Sequence, residues 1–522
     1  MSTYHVENFG CRATQADGAA LERQFEGCGL SRADAAQADL VIINSCTVTN
    51  SADQDARAAI RRVQRQNPLA KIVVTGCYAQ RAPEEVAALP GVTAVVGNSH
   101  KHQLAEITLS ALGPSSSDSV LSLAGLAQRF TAARHEAPSE GSAAEGMSFV
   151  PIAALTERTR ESSAESHMPN PQGRLFVSDI FAHTELLAAP VFESAELTGP
   201  ARTRPNLKVQ DGCDNRCSFC VIPSVRGHSR SLPLAEVIRE VNALVAAGYR
   251  EVVISGINLG RWGRDLDPRP QTSELGSAVA KVLRKGSEVA GLAPNLETLI
   301  RAIVAETQLE KLRISSVEPM DWTDDLIALV ASSPRIAKHA HVPLQSASDA
   351  VLRRMHRKYR PWHYREKVEK IRAAMPSAAI GADVMVGFPG ETDTEFEATL
   401  RMIEDLPFTY LHVFTYSARP GTPAAAMPNQ VPYHVVRGRN KILRDLAAGK
   451  KHAFMQSFVG KSLEAITLNV TLDGPGGEFT EALTDNYQKL YLKGRQIPNR
   501  WITAHIEAIN KGAFGGYPAE HN

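Results

Sequence analysis

Between Leu207 and Arg419 six short apolar or β-rich runs recur: LKVQD, EVVISG, KLRISS, KHAHVP, AIGADVMVG and YLHVFTY. Each of the first five is followed by sequence of helical period, as in PLAEVIREVNALVAAG from Pro233 and ETDTEFEATLRMIEDL from Glu391. Strands that alternate with helices pair in parallel, because each crossover helix returns the chain to the same end of the sheet. Six repeats predict an open, partial (β/α)6 barrel over residues 201–432 rather than the closed barrel of eight, with residues 267–294 as a surface excursion between a strand and its helix.

The same alternation occupies the start of the chain. TYHVENFG, ADLVIINS, KIVVTG and TAVVG are separated by amphipathic stretches near Asp17–Cys28 and Ser51–Gln66 and by a short helix from Pro83. This pattern predicts an N-terminal parallel-sheet α/β domain over residues 1–112. From Gly113 to Gln172 the composition turns to Ser, Ala, Glu and Pro, with eleven serines and little periodicity. A structureless loop of that length does not fit within a compact domain, so residues 113–200 read as a largely disordered linker or insertion. Residues 433–522 read as a helix followed by a small β domain, with LEAITLNV and WITAHIEAI as strands among Gly-rich turns. The fold class is α/β with this β appendage.

With 57 Lys+Arg against 56 Asp+Glu in 522 residues, the chain as a whole has no pull toward nucleic acid or membrane, and any such partner must meet a local patch. The opening MSTYHVENFGCRATQ lacks a secretory pattern, and no stretch is apolar for the roughly 18 residues a spanning helix needs. A cytoplasmic protein without membrane contact is expected. In that reducing compartment seven cysteines serve metal binding, redox chemistry or burial rather than disulfides.

Cys213, Cys217 and Cys220 form a C-x3-C-x2-C triplet, CDNRCSFC, directly after the first barrel strand. Three thiolates are one short of a closed zinc or cubane set, so either one metal position stays open for a ligand or a fourth group such as His228 closes a zinc loop. Cys11, Cys46 and Cys77 lie 35 and 31 residues apart, one βα repeat each, and each follows a strand. Burial is the ordinary fate of a single cysteine. Three at one topological position, the carboxyl edge of a parallel sheet, favour a second three-thiolate site. Cys28, at a helix end, has no assigned role.

The triplet, with Phe219 before its last cysteine, resembles that of the radical S-adenosylmethionine enzymes. Two trios in this order, with GCRATQ, NSCTVTNSADQDAR, TGCYAQ, CDNRCSFCVIPSVRGHSRS, HVPLQSASD, VGFPGET and YSARPGTPA, resemble the methylthiotransferase subfamily over nearly the whole chain. The resemblance implies two [4Fe-4S] clusters, one on Cys213, Cys217 and Cys220 that generates a 5'-deoxyadenosyl radical from S-adenosylmethionine, and an auxiliary one on Cys11, Cys46 and Cys77 that carries the sulfur. An aromatic C–H offers neither an acidic proton nor a leaving group, so its replacement by C–S calls for a radical. Thr14 stands where the family commonly has asparagine, a departure that bears on the support of Cys11.

The implied S-adenosylmethionine contacts are Ser255, Gly256, Ser316, Glu318, Gln345, Gly387 and Gly390, all at strand ends that ordinary turns could also explain. VIPSVRGHSRS and RISSVEPMDWTDDLI look most like the branch acting on N6-threonylcarbamoyladenosine at position 37 of tRNA. The alternatives are isopentenyladenosine-37, a ribosomal-protein aspartate, or a non-catalytic RNA-binding protein with structural metal sites. Arg226 and Arg230 are candidates to meet a phosphate or the threonylcarbamoyl carboxylate, or else form an internal ion pair. From Pro432 onward twelve Lys+Arg face eight Asp+Glu, and Tyr487, Tyr491 and Trp501 interleave with Lys489, Lys493, Arg495 and Arg500. That pattern suits backbone contact and base stacking in an anticodon loop, and the tail resembles the RNA-binding TRAM domain. A low-potential electron donor and a sulfur source are implied partners, and the chain is expected to act as a monomer.

Overall fold

The computed structural model describes residues 2–112, 174–183, 186, 203–266, 293–474 and 477–519. Strands β1 (Thr3–Asn8), β2 (Ser31–Arg32), β3 (Leu40–Ser45), β4 (Lys71–Gly76), β5 (Val92–Gly97) and β6 (Arg174–Phe176) form one sheet in the order β2-β1-β3-β4-β5-β6, every pair parallel. The central strands carry apolar runs, LVII in β3 and IVV in β4, because helices cover both faces. Val41 and Ile43 of β3 pack with Ala56, Ile60 and Val63 of the helix Asn50–Gln66, while Ile42 turns to Leu21 and Phe25 of the helix Arg12–Gly27.

Two features depart from expectation. The first helix starts directly after Cys11 rather than near Asp17, since its opening turns bury the small side chains Ala13, Ala16 and Ala20, which carry little hydrophobic signal. The span 113–200 is also not all linker: β6 pairs with β5, and the Ser178 carbonyl accepts a 3.0 Å hydrogen bond from Gln80. That short run is hidden by the polar composition around it. Apart from residues 174–183 and 186, the expected linker lies outside the described residues, as do residues 267–292 of the expected excursion.

All six barrel runs are strands. β7 (Asn206–Asp211), β9 (Glu251–Gly256), β10 (Lys311–Ile314), β11 (His339–His341), β12 (Ala379–Val386) and β13 (Tyr410–Thr415) follow in parallel, the step from β10 to β11 being made by single bridges at Leu312–Ile336 and Ser316–His341. β8 (Arg230–Ser231) adds antiparallel to β7. Leu207, Val252, Leu312, Ala340 and Ile380 pack outward in the main core. By strand alternation Lys208, Ser255, Arg313, His341, Asp383 and His412 face the lumen.

A long helix, Tyr433–Gln456, leads to β14 (Ser462–Gly474), β15 (Gly477–Thr484), β16 (Lys489–Lys493), β17 (Trp501–Asn510) and β18 (Ala513–Pro518), a closed barrel in the order β14-β15-β16-β18-β17. It docks on the amino ends of the large barrel's strands. Lys311 pairs with Glu464 at 3.0 Å, Arg313 donates to the Asp485 carbonyl at 3.0 Å, and Asn486 and Asn499 donate to the carbonyls of Ser377 and Gly248 at 3.1 and 2.8 Å.

Candidate functional site

Cys11, Cys46 and Cys77 follow β1, β3 and β4, which are neighbours in the sheet, so thiols distant in sequence share one carboxyl edge. Glycine makes the approach possible. A Cβ on Gly10 (φ +112°) would fall 2.5 Å from Cys46 Cβ, and one on Gly76 (φ +99°) would fall 2.2 Å from the Ser45 carbonyl oxygen. Cys46 and Cys77 are buried and Cys11 is exposed. Burial, and then the neighbouring Cys77 and Cys11, push the Cys46 thiol up to about 12. The Thr14 hydroxyl lies 3.6 Å from Cys11 Sγ, so the threonine supplies a polar neighbour to that thiol. Asn98 donates to Cys77 Sγ at 3.6 Å.

The second trio sits on the loop after β7. Cys213 Sγ accepts from the Asn215 N–H at 3.4 Å and from Asn258 Nδ2 at 3.6 Å, Cys220 Sγ from the Ile222 N–H at 3.5 Å, and Cys217 Sγ from Arg357 Nη1 at 3.3 Å. Burial, then the other two thiols, pushes Cys220 up to about 12 despite the Ile222 N–H. Cys46 in one trio and Cys220 in the other are thus held as thiols before metal arrives, and binding must release their protons. Phe219 meets Phe388 edge-on at 6.4 Å, tying the loop to the turn after β12.

Among the described residues no group of three or more His, Cys, Asp or Glu closes around a single metal ion. His228, the candidate fourth zinc ligand, instead bonds Asp214 at 2.8 Å. Each trio offers three soft thiolates and no fourth cysteine, and thiolates that each bind their own iron need not converge on one point. That donor set suits a [4Fe-4S] cluster with one open iron.

Comparison with known proteins decides the assignment. The model of the Radical SAM superfamily matches residues 207–403, and that of the Uncharacterized protein family UPF0004 matches residues 3–97. A threonylcarbamoyladenosine tRNA methylthiotransferase MtaB of Bacillus subtilis is 33% identical over 500 residues, covering 95% of this chain and 91% of that protein. The chain belongs to the tRNA-modifying radical S-adenosylmethionine methylthiotransferases. A second relative, the tRNA-2-methylthio-N(6)-dimethylallyladenosine synthase of Novosphingobium aromaticivorans, is 32% identical, covering 89% of this chain and 86% of that protein. Among solved structures, the radical S-adenosylmethionine methyltransferase TsrM of Kitasatospora setae aligns with TM-score 0.45 at 16% identity, covering 81% of this chain and 77% of that one.

The family's cofactors are [4Fe-4S] clusters and S-adenosylmethionine. Of the expected cofactor contacts, Ser255 is buried with an unpartnered hydroxyl, and Glu318 pairs with Arg357 beside Cys217. Gly256 closes on Gln210, and Gln345 adopts φ +61° where it bridges to Val384. Ser316 is already engaged by His341 Nδ1 at 2.7 Å. Gly387 and Gly390 spend their N–H groups on Glu391 at 2.7 Å and the Asn429 carbonyl at 2.8 Å, the pattern of an ordinary turn.

Of the two arginines, Arg226 takes the internal ion pair and not the anion contact. Arg226 is fully buried, donating to Asp211 at 2.9 and 3.1 Å and to Asp17 at 2.9 Å, so it cannot reach an external anion. Arg230 donates to the carbonyls of His183 and Arg226 at 3.2 and 3.0 Å and serves the loop. Tyr487 is also not on an outer RNA face. Its ring packs 4.7 Å from His339 beneath the large barrel, and its hydroxyl accepts from Arg12 at 2.9 Å. Trp501 lies under Lys311, 4.9 Å from its ammonium. Lys489 and Lys493 are exposed but paired with Glu481 and Glu507 at 2.9 and 2.6 Å, while Arg495 and Arg500 are exposed.

Sequence reasoning missed Arg12, Asp17, Asn98, Lys101, Lys208, Asn258 and Arg357. These carry little local signal, since their partners lie far away in the chain, apart from the pairing of Lys208 with Asp211 three residues on. Arg12 and Tyr487, with Arg204, Asn206 and Asn469, line a groove of about 400 Å3 where all three domains meet.

Proposed function

We propose that this enzyme inserts a methylthio group at C2 of N6-threonylcarbamoyladenosine at position 37 of tRNA. Relatives named for that substrate and for the dimethylallyl one stand at 33% and 32% identity, so identity alone does not choose between them. The observation that carries the choice is Arg12. Among the described residues no carboxylate pairs with it, it lines the groove where the three domains meet, and its charge bears on the protonation of His339, Tyr410 and His412. A guanidinium without a carboxylate partner suits the carboxylate of a threonylcarbamoyl group, whereas an isopentenyl group asks for an apolar wall.

When bound, the clusters supply the electron that cleaves S-adenosylmethionine and the sulfur to be inserted. The chain's own part is to hold six thiols, keep the lumen polar and present the anion partner. Exposed Lys489, Lys493, Arg495 and Arg500 would track the RNA backbone. The reading requires a low-potential electron donor and a sulfur source, and takes the chain to act as a monomer.

Mass spectrometry of tRNA from a strain lacking this protein tests the reading. The methylthio group on threonylcarbamoyladenosine should vanish and return with the wild-type chain. Arg12→Gln should restore it poorly. Loss of the group from dimethylallyladenosine instead would assign the other branch.

A further inference from the structure

Beneath both thiol trios a set of ion pairs crosses the interface between the first domain and the barrel. Asp17, on the helix that starts after Cys11, receives Lys101 Nζ at 3.1 Å, Arg226 Nη2 at 2.9 Å and the ammonium of Lys208. Asp211, two residues before Cys213, receives Lys208 at 2.7 Å and Arg226 at 2.9 Å. Arg226 is 2% exposed, and Asp17 and Lys208 are each 1% exposed. Among the described residues two carboxylates thus face three cations, so the set carries a surplus positive charge.

The unmatched positive charge has a direction. The helix Cys77–Arg81 packs against the helix Ile222–Arg226, and Asn98 donates both to Cys77 Sγ at 3.6 Å and to the Val225 carbonyl at 2.7 Å. Arg226 therefore stands behind Cys77, where the charges of Cys77 and Cys11 act on it directly, and Lys101 feels Cys77 as well. The radical-site thiols have a different cation, Arg357 at 3.3 Å from Cys217 Sγ. A surplus buried cation is costly unless a nearby anion compensates it, and three thiolates around a [4Fe-4S] core carry net negative charge.

We propose that Arg226 and Lys101 are positioning residues whose surplus charge is matched to the auxiliary cluster, docking the first domain on the barrel and raising that cluster's reduction potential relative to the radical-site cluster. The proposal rests on the two-cluster reading. Positive charge beside a cluster favours the added electron, so neutralising a cation lowers the midpoint potential and neutralising a carboxylate raises it.

The test uses the full chain with Cys213, Cys217 and Cys220 replaced by Ala, so that only the auxiliary cluster is held, and follows reduction by EPR during a potentiometric titration. Arg226→Gln and Lys101→Gln should each shift the midpoint down, Asp17→Asn should shift it up, and Arg226→Lys should leave it near the parent. In the complementary chain lacking Cys11, Cys46 and Cys77, Arg226→Gln should move the radical-site potential far less. Circular dichroism melts before iron loading identify any variant that fails to fold, and the two cation variants stand in for each other. Shifts of the same sign for Arg226→Gln and Asp17→Asn, or equal shifts at both clusters, would overturn the proposal. Absence of iron from the auxiliary-only parent would instead remove the two-cluster reading itself, and the proposal with it.

Discussion

Cys213, Cys217 and Cys220 occupy one loop of eight residues, whereas Cys11, Cys46 and Cys77 arrive on three strand ends spread over 67 residues. Two thiols of the loop trio accept from nearby backbone, the N–H groups of Asn215 and Ile222, while Asn258 and Arg357 reach in from outside. The strand-end trio exists only while the sheet is in register and the glycines beside it let the strands close. One site is thus built mainly on a short peptide, and the other on a folded domain. Damage to backbone packing should fall on the second and spare the first.

The largest expected effect follows from Gly76. Its positive φ and the 2.2 Å approach of a Cβ to the Ser45 carbonyl mean that Gly76→Ala must displace both Cys77 and the residue before Cys46. Iron content after anaerobic reconstitution should fall from about eight to about four per chain, the [4Fe-4S] stoichiometry of a single cluster. Dithionite-dependent cleavage of S-adenosylmethionine should survive, because the loop trio is untouched. A proportional loss at both sites would show that the two are not independent.

Asp17 gives the next effect. Burial alone would raise its pKa, but Lys101, Lys208 and Arg226 together hold the carboxyl well below the usual range. A depressed pKa in the folded state means that its contribution to stability is complete above the ordinary carboxylate pKa of roughly 4 and is lost as pH falls from there toward the depressed value. Asp17→Asn should cost about 3 kcal/mol at neutral pH, since it leaves buried cations short of a partner. It should also flatten the acid limb of the stability curve measured by urea unfolding from pH 6 to pH 3. An acid limb as steep as that of the parent would mean that Asp17 does not titrate with unfolding.

Legibility in the sequence followed the same divide. The six barrel strands, four strands of the first sheet and the loop trio were readable because each is a run or a spacing within a short segment. The strand-end trio was readable only through topology, one cysteine per βα repeat. Arg226 stayed open between an anion contact and an internal ion pair because VRGHSR looks like an exposed basic loop, while its partner Asp17 lies 209 residues away. Tyr487 was misread because its composition context suits RNA, and only the docking of the small barrel shows His339 above its ring. β6 was missed because three residues within a serine-rich span carry no period.

Arg357 tests how local the loop trio is. It is 8% exposed, pairs with Glu318 and donates to Cys217 Sγ, yet it stands 140 residues further along the chain. Glu318 keeps partial access to water, so Arg357→Met should cost about 2 kcal/mol in denaturant unfolding rather than the full penalty of a buried broken pair. The loop thiols should still take up iron, because the backbone donors remain. Loss of radical-site iron in this variant would show that the loop is not self-sufficient.

The smallest effect is one of rates, and it separates the two sites without any substitution. In the iron-free chain Cys11 is exposed, Cys213, Cys217 and Cys220 are half-buried, and Cys46 and Cys77 are buried. Alkylation by iodoacetamide needs both access and thiolate, and burial holds Cys46 and Cys220 in the thiol form. Peptide mapping over time should show Cys11 labelled first and Cys46 with Cys77 last, with Cys217 and Cys213 between them and ahead of Cys220, so that the strand-end site holds both the fastest and the slowest thiols. If Cys46 and Cys77 instead react together with Cys11, the sheet edge opens readily without metal, and the strand-end site is assembled by iron rather than prepared by the fold.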